Sequence, residues 1–369
     1  MLLQKIELRE LRMQLVHPFQ TSFGTTLERR ILIVKVNDGV HFGFGEVTAG
    51  EGPFYSHETW QTAWHILEDF IIPRAIGREL GSAKDIEAIL SGIRGHRMAQ
   101  AGLETAVWDM EAQKANTPLW KFLGGVRTAI DCGVSIGIEP TIEKQLQKIQ
   151  TELDAGYRRI KLKIKPGWDI EIIEEVRRTF PKVPLMVDAN SAYTLADIEL
   201  FRKFDRFELM MIEQPLHDED MIDHAELQRQ IQTPICLDES IHSAADARKA
   251  IQIGACRIIN IKLGRVGGHR EARAVHDVCR DHGIPVWCGG MLESGIGRAH
   301  NIAMSSLEGF TLPGDVTASR RYWSEDVIDP EVEVSADGRI SERMDPGIGY
   351  RVNEARLEKF TVRYQAFSA

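Results

Sequence analysis

Five short apolar runs decide the fold, and each ends in an ionisable residue: IKLK at 160–163, LMVD at 185–188, LMMIE at 209–213, ICLD at 235–238 and INIK at 259–262. The final residues of these runs lie 25, 25, 25 and 24 positions apart. A strand, a helix and two short loops need roughly that many residues. The spacing predicts successive strand–helix units with a charge at the carboxyl end of each strand, where parallel barrels place their active sites.

The same alternation extends on both sides of these runs. A first strand is predicted at 132–136, a seventh at 285–288 and an eighth near 310–312. Strands that alternate with helices must run parallel, because each helix carries the chain back to the same edge. We therefore predict an α/β fold built on a (β/α)-barrel of the modified TIM type.

The segments outside the barrel predict a second, α+β layer. Residues 1–50 alternate like strands around the hairpin turn Asn37-Asp38-Gly39, and 57–123 have helical periodicity up to Gly124-Gly125. We expect a capping domain at 1–125, the catalytic barrel at 126–320 and a C-terminal segment at 321–369 that packs back on the cap. The polar stretch 17–26 is interpreted either as a plain connecting loop or as a mobile lid.

Composition excludes several classes of function. The net charge is −9 and the basic residues are scattered, so a nucleic-acid partner is not expected. No apolar run reaches the roughly 20 residues of a membrane span, and the charged N-terminus does not resemble a signal peptide. None of the five cysteines forms a CxxC pair. These features predict a cytoplasmic protein that acts on a small molecule and makes no membrane contact.

Three carboxylates, Asp188, Glu213 and Asp238, end neighbouring predicted strands. Packed together they could not all stay ionised without a cation, because like charges raise each other's pKa. An all-oxygen set suits Mg²⁺, and Mn²⁺ would also fit. The alternative is that one or two of them only form salt bridges with lysines.

Two lysines, Lys163 and Lys262, end the strands on either side of this arc. Lys161 shares the strand face of Lys163, and its charge would lower the pKa of that neighbour toward the range of a useful base. A Schiff-base lysine is the alternative, but such chemistry has no use for a carboxylate metal site. Together the groups predict α-proton removal from a carboxylate substrate that chelates Mg²⁺, giving an enediolate. One lysine would remove the proton while the other returns it or steadies the charge.

These residues closely resemble the motifs of the enolase superfamily over nearly the whole chain. The matching parts are Lys161-Leu162-Lys163, Asp188-Ala189-Asn190, Glu213-Gln214-Pro215, Asp238-Glu239-Ser240, Asn260-Ile261-Lys262 and Gly290-Met291-Leu292-Glu293-Ser294. The paired lysines resemble the muconate lactonising subgroup. Within it the chain is most similar to the branch of o-succinylbenzoate synthases and N-succinylamino acid racemases. Dipeptide epimerases of the subgroup carry Asp-x-Asp where this chain has Asp315-Val316-Thr317, which argues against that activity.

The resemblance also implies roles for individual residues. Lys163 would be the base for dehydration and Lys262 would steady the enediolate through a cation–π-like contact, whereas both would exchange protons in a racemisation. Lys161, Asn190 and Arg265 would support them, with Arg265 tuning Lys262. The succinyl and side-chain pocket would be lined by Phe19, Phe23, Tyr55, Ser135, Met291 and Leu292.

The alternative to a pocket role for Tyr55 is a position on the surface. The resemblance to the subgroup also implies a homo-oligomer. A non-catalytic barrel used for binding or assembly is the alternative from another class. Lys163→Ala would distinguish the two classes, since only an enzyme would lose activity.

Overall fold

The computed structural model describes residues 1–369 as an antiparallel cap on a curled parallel sheet. The strands are β1 (Lys5–Gln20), β2 (Thr25–Asn37), β3 (Phe42–Val47), β4 (Ala129–Asp131), β5 (Val134–Ile136), β6 (Ile160–Lys163), β7 (Leu185–Asp188), β8 (Ile212–Glu213), β9 (Ile235–Leu237), β10 (Ile258–Ile261), β11 (Val286–Cys288), β12 (Ile328–Asp329), β13 (Arg339–Ser341), β14 (Arg351–Val352) and β15 (Thr361–Ser368).

The helices alternate with the strands only from β5 to α13. They are α1 (Trp60–Ile66), α2 (Ile72–Ala75), α3 (Ile86–Leu90), α4 (Arg97–Lys114), α5 (Leu119–Phe122), α6 (Ile142–Asp154), α7 (Ile170–Thr179), α8 (Ile198–Phe204), α9 (Met221–Gln230), α10 (Ala244–Ile253), α11 (Leu263–Val266), α12 (His269–Asp281), α13 (Gly295–Ser305) and α14 (Glu354–Phe360). Several barrel helices are capped at their N-terminus by a side-chain oxygen that accepts a hydrogen bond from a backbone N–H of the first turn. The capping residues include Thr141, Asp220 and Ser243. None of the helices is both long and apolar enough to cross a bilayer.

The cap is a four-stranded antiparallel sheet in the order β15-β1-β2-β3, covered by α4. The backbone of α4 approaches β3 closely, because Gly43 and Gly45 carry no Cβ where one would collide with the helix. Strand β15 comes from the C-terminus and pairs with β1, for example at Leu8↔Gln365. We propose a domain boundary near residue 125, because the core-cluster residues from Val47 to Leu123 all belong to the cap core and the barrel core resumes at Ile130.

The barrel is a seven-stranded parallel sheet in the order β11-β10-β9-β8-β7-β6-β5. The prediction of a regular eighth strand near 310–312 is wrong. The segment instead closes the barrel through isolated parallel bridges, Val286↔Phe310 on one side and Cys132↔Gly314 on the other. Pro313 has no N–H to donate, so a continuous ladder cannot form there.

The stretch 17–26 is the end of a hairpin, which differs from the loop predicted by the sequence. The β1–β2 ladder shifts register after Gln14 and resumes at Phe19↔Thr26 and Gln20↔Thr25. The hairpin tip lies over the mouth of the barrel, where the Ile138 N–H donates to the Gln20 carbonyl at 3.0 Å. Paired backbone therefore carries Phe19 against the barrel core, and a lid motion stays a prediction.

Candidate active site

Three fully buried carboxylates lie at the carboxyl ends of adjacent barrel strands. Asp188 ends β7, Glu213 ends β8, and Asp238 directly follows β9. All three are 0% exposed, and Asp188 and Glu213 are register partners. Buried carboxylates are very unfavourable unless cations or hydrogen-bond donors compensate them. The groups around these three must therefore be largely cationic.

Lys161 and Lys163 supply those cations from β6. Lys161 Nζ lies 2.6 Å from Asp315 Oδ2, 2.9 Å from Glu213 Oε2 and 3.2 Å from Asp188 Oδ2. Lys163 Nζ donates to Asp188 Oδ2 at 2.6 Å and to Asn190 Oδ1 at 2.7 Å. The two side chains share a strand face because they are two residues apart. The carboxylate–lysine salt bridges that the sequence left open as an alternative are thus present.

Lys262 approaches the carboxylates from the opposite side. It directly follows β10, and its Nζ donates to Asp238 Oδ2 at 2.7 Å. Tyr55 of the cap covers it, with the Tyr55 Oη 3.1 Å from Nζ and the ring centroid 4.4 Å away. Arg265 donates to the other oxygen of Asp238 and to the Asn260 carbonyl at 2.6 Å. The cap therefore completes the site by placing an aromatic ring and a hydroxyl against Lys262.

The surroundings shift the pKa values of the two lysines in opposite directions. Burial and the charge on Lys161 lower the pKa of Lys163, although Asp188 opposes the change. Burial also acts to lower the pKa of Lys262, but its polar and acidic neighbours, Tyr55 and Glu239 first, raise it above the ordinary value. The surroundings therefore favour the neutral form of Lys163 more than that of Lys262, which is the direction a base requires.

The oxygen ligands that Asp188, Glu213 and Asp238 offer are the kind that a divalent cation prefers. In this structure these carboxylates contact ammonium and guanidinium groups. No three acidic, histidine or cysteine side chains are arranged as a ready metal cage. Burial, followed by the charge of Asp188, raises the pKa of Glu213, and the same two causes raise the pKa of Glu239 to about 7. Glu239 Oε2 and Asn260 Oδ1 are buried without a partner. An oxygen-rich site with unsatisfied acceptors suits Mg²⁺.

The residues expected to line the substrate pocket are only partly brought together. Tyr55 contacts Lys262, and Ser135 on β5 is the register partner of Lys161, with its hydroxyl buried and unpaired. Met291 and Leu292 follow β11 and pack against the cap core and the barrel core respectively. Phe19 also packs against the barrel core.

The structure does not bring Phe23 into the cluster. It lies at the hairpin tip and is 41% exposed. Its side chain therefore faces solvent, outside the group of lysines and carboxylates.

Three further residues complete the cluster and were not predicted as site residues. Arg159 and Asp315 form a buried ion pair at 2.6 Å below Lys161, and Glu239 accepts from Asn190 Nδ2 at 2.8 Å. The alternation Arg159, Lys161, Lys163 on one strand was the available signal for Arg159. Asp315 follows an irregular strand, so no periodicity pointed to it.

Comparison with known proteins agrees with this geometry. Residues 5–124 match the mandelate racemase / muconate lactonizing enzyme N-terminal domain, and residues 144–356 match the enolase C-terminal domain-like family. The chain belongs to the enolase superfamily, whose members generally use Mg²⁺. The expected family and fold are thereby confirmed.

Particular relatives narrow the comparison. The chain is 54% identical to an o-succinylbenzoate synthase of Geobacillus stearothermophilus, over 97% of this chain and 96% of that one. It is 45% identical to an N-succinylamino acid racemase of Thermus thermophilus, over the full length of both. A solved enolase-superfamily structure from Listeria innocua is 41% identical, covers 100% of this chain and 99% of that one, and superposes with a TM-score of 0.96.

Proposed function

We propose that this chain is an o-succinylbenzoate synthase. It would dehydrate 2-succinyl-6-hydroxy-2,4-cyclohexadiene-1-carboxylate to o-succinylbenzoate and water, a step of menaquinone biosynthesis. The observation that carries the proposal is the pair of buried lysines, Lys163 and Lys262, on opposite sides of a buried carboxylate arc. The synthase names of relatives at 54%, 53% and 46% identity support it.

Asp188, Glu213 and Asp238 would hold Mg²⁺, with Mn²⁺ as an alternative. Bound there, the metal would stabilise the negative charge that develops on the substrate carboxylate as the α-proton leaves. The other groups act on the substrate directly. Lys163 takes the α-proton, and the charge of Lys262 steadies the resulting anion from the other side. In a syn elimination the proton and the hydroxyl leave from one face, so Lys163 can also protonate the departing hydroxyl, which leaves as water.

Formal charge favours an anionic substrate. The buried acids of the cluster match its buried bases one for one, with Asp188, Glu213, Asp238, Glu239 and Asp315 opposite Arg159, Lys161, Lys163, Lys262 and Arg265. A divalent metal would leave excess positive charge even when Lys163 is neutral, as a base must be, and buried charge must be compensated. A dicarboxylate contributes negative charge of that kind, and the dehydration substrate is one.

N-succinylamino acid racemisation is the second candidate. Its substrates are also dicarboxylates, and relatives at 45% and 49% identity carry that name. The observation that favours it is the pair of polar contacts to Lys262, from Tyr55 Oη at 3.1 Å and Asp238 at 2.7 Å, which orient its Nζ for proton transfer. Each lysine would then work on one enantiomer and both would exchange protons.

The pocket assignments remain part of the proposal. Asn190 would orient Lys163, and Arg265 would tune Lys262 through Asp238. The substrate would be enclosed by Phe19, Tyr55, Ser135, Met291 and Leu292, with Phe23 outside this group at the hairpin tip. A homo-oligomer is also proposed, as the subgroup implies. A cytoplasmic location is proposed because all five cysteines are free and buried, as a reducing compartment allows. Light scattering of the purified protein and cell fractionation test these two points.

The test is a direct assay of dehydration. Purified protein with Mg²⁺ should convert the cyclohexadiene substrate to o-succinylbenzoate, and a chelator should stop the reaction. Lys163→Ala should remove the activity while the protein stays folded. Absence of product from the unmodified protein at saturating Mg²⁺ would overturn the proposal. Product formation that persists in Lys163→Ala would overturn the assignment of the base.

A further inference from the structure

A buried network beneath the candidate metal ligands holds Lys161. Asp315 Oδ2 lies 2.6 Å from Lys161 Nζ, and its Oδ1 lies 2.6 Å from Arg159 Nη1. Arg159 in turn donates to the Pro313 carbonyl at 2.7 Å. The ring of Trp287 lies against both cations, 4.9 Å from the Arg159 guanidinium and 5.0 Å from Lys161 Nζ. The side chains of Arg159, Lys161, Trp287 and Asp315 are all buried.

Lys161 competes with any metal for carboxylate oxygens. Two of its three carboxylate partners, Glu213 at 2.9 Å and Asp188 at 3.2 Å, are proposed metal ligands. An ammonium group and a divalent cation cannot both bind the same carboxylate oxygens strongly at the same time. If Lys161 had only these two partners, metal binding would leave it buried and unpaired, which is strongly unfavourable.

Asp315 is the partner of Lys161 that lies outside the metal arc. It has the shortest of the three contacts, and the bond to Arg159 fixes its second oxygen. Its backbone N–H donates to the Cys288 carbonyl at 2.8 Å, so the residue is anchored to β11. Asp315 is thus already placed to keep Lys161 paired when the other two carboxylates turn to a metal.

We propose that Asp315, held by Arg159, is a positioning residue that draws Lys161 away from the metal ligands and thereby sets the affinity of the site for Mg²⁺. The inference rests on the proposed function, because it assumes the metal site at Asp188, Glu213 and Asp238. It assigns to Asp315 no contact with substrate or metal. Its effect passes entirely through Lys161.

The experiment is calorimetric titration of Mg²⁺ into the purified protein and its variants. Asp315→Asn should weaken Mg²⁺ binding about 10–100-fold, the range typical of lost outer partners of a metal site. Asp326→Asn is the matched control. Asp326 is an equally buried aspartate, accepts from Gly295 N and Ser319 Oγ, and has no contact with Lys161. It should leave the Mg²⁺ affinity unchanged.

A double-mutant cycle separates the role through Lys161 from a direct charge effect. In a Lys161→Met background, Asp315→Asn should weaken Mg²⁺ binding no further. An equal loss in both backgrounds would overturn the proposal, as would unchanged affinity in Asp315→Asn alone. If Asp315→Asn does not fold, Arg159→Lys provides the test. The lysine keeps a positive charge beside Asp315 but cannot bind Asp315 and the Pro313 carbonyl together as the guanidinium does. It should weaken binding to a smaller extent, and unchanged affinity would again overturn the proposal.

The outcome also distinguishes this inference from the proposed function. If the unmodified protein binds no Mg²⁺, both fail together. If it binds Mg²⁺ and forms product while Asp315→Asn binds Mg²⁺ equally well, only the inference about Asp315 fails.

Discussion

Removal of the Tyr55 hydroxyl should separate the two reactions of the site. Tyr55 Oη lies 3.1 Å from Lys262 Nζ and 3.1 Å from Asp238 Oδ1, and the ring centroid lies 4.4 Å from Nζ. Tyr55→Phe deletes these two hydrogen bonds and the one that Arg265 Nη1 donates to the hydroxyl at 3.4 Å, and it keeps the ring over the ammonium group. A proton-transfer role for Lys262 depends on the direction of its Nζ, whereas a purely electrostatic role depends on its charge and the ring.

The magnitude follows from these contacts. A hydrogen bond to a charged group contributes about 1.5–3 kcal/mol. Because about 1.4 kcal/mol is a factor of ten in rate, loss of one such bond in the transition state lowers kcat/KM roughly 10–100-fold. We expect a decrease of this size in the racemisation of N-succinylphenylglycine. Dehydration should fall less than about 5-fold, because the cation–π contact, worth about 0.5–2 kcal/mol, is retained.

Racemisation is followed by loss of the α-proton NMR signal in deuterated water and dehydration by ultraviolet absorbance, both at saturating Mg²⁺. Tyr193→Phe is the matched control, since the buried Tyr193 donates to Asp169 at 3.1 Å outside the cluster. It should change neither rate. Equal losses of both activities in Tyr55→Phe, or no loss of either, would refute the reasoning about Lys262.

Three further predictions test other parts of the account. Lys163→Ala should lower both activities about 10²–10⁴-fold, as expected for loss of a general base, while calorimetry shows Mg²⁺ binding retained or tightened because a competing ammonium is gone. Arg265→Gln should change the ratio of racemisation to dehydration measured on one preparation, and an unchanged ratio would argue against its tuning of Lys262. Burial and the neighbouring Glu293 raise the pKa of Glu46 to about 8 from 4.5, so its neutral form stabilises the folded state below about pH 4.5 and that stability is lost as the pH rises through about 8. Thermal melts should therefore show stability falling by a few kcal/mol over this window, with a flatter profile in Glu46→Gln, and parallel profiles would contradict the shift.

The sequence predicted the reacting groups because strand ends are local features. Lys163, Asp188 and Glu213 each end a short apolar run. A parallel sheet brings the carboxyl ends of its strands to one edge, regardless of how the helices pack. The even spacing was enough to place them side by side. The same reasoning placed Lys262 and Asp238, although each directly follows its strand in the structure.

Pairings across long stretches of chain were not predictable in the same way. Asp315 reaches Arg159 across 156 positions, and Tyr55 reaches Lys262 across 207. Such contacts depend on how the cap and the last barrel segment pack, which periodicity does not encode. The prediction of the eighth strand failed for a local reason instead. Pro313 interrupts the ladder, although the apolar residues of the segment still resemble a strand.

The central claim is that Lys163 and Lys262 face one α-carbon from opposite sides. The most direct measurement is exchange of the α-proton of each enantiomer of N-succinylphenylglycine in deuterated water with Mg²⁺, followed by NMR for the unmodified protein, Lys163→Ala and Lys262→Ala. The account predicts exchange of both enantiomers by the unmodified protein, and loss of exchange for a different enantiomer in each variant. Exchange of both enantiomers by either variant would contradict it.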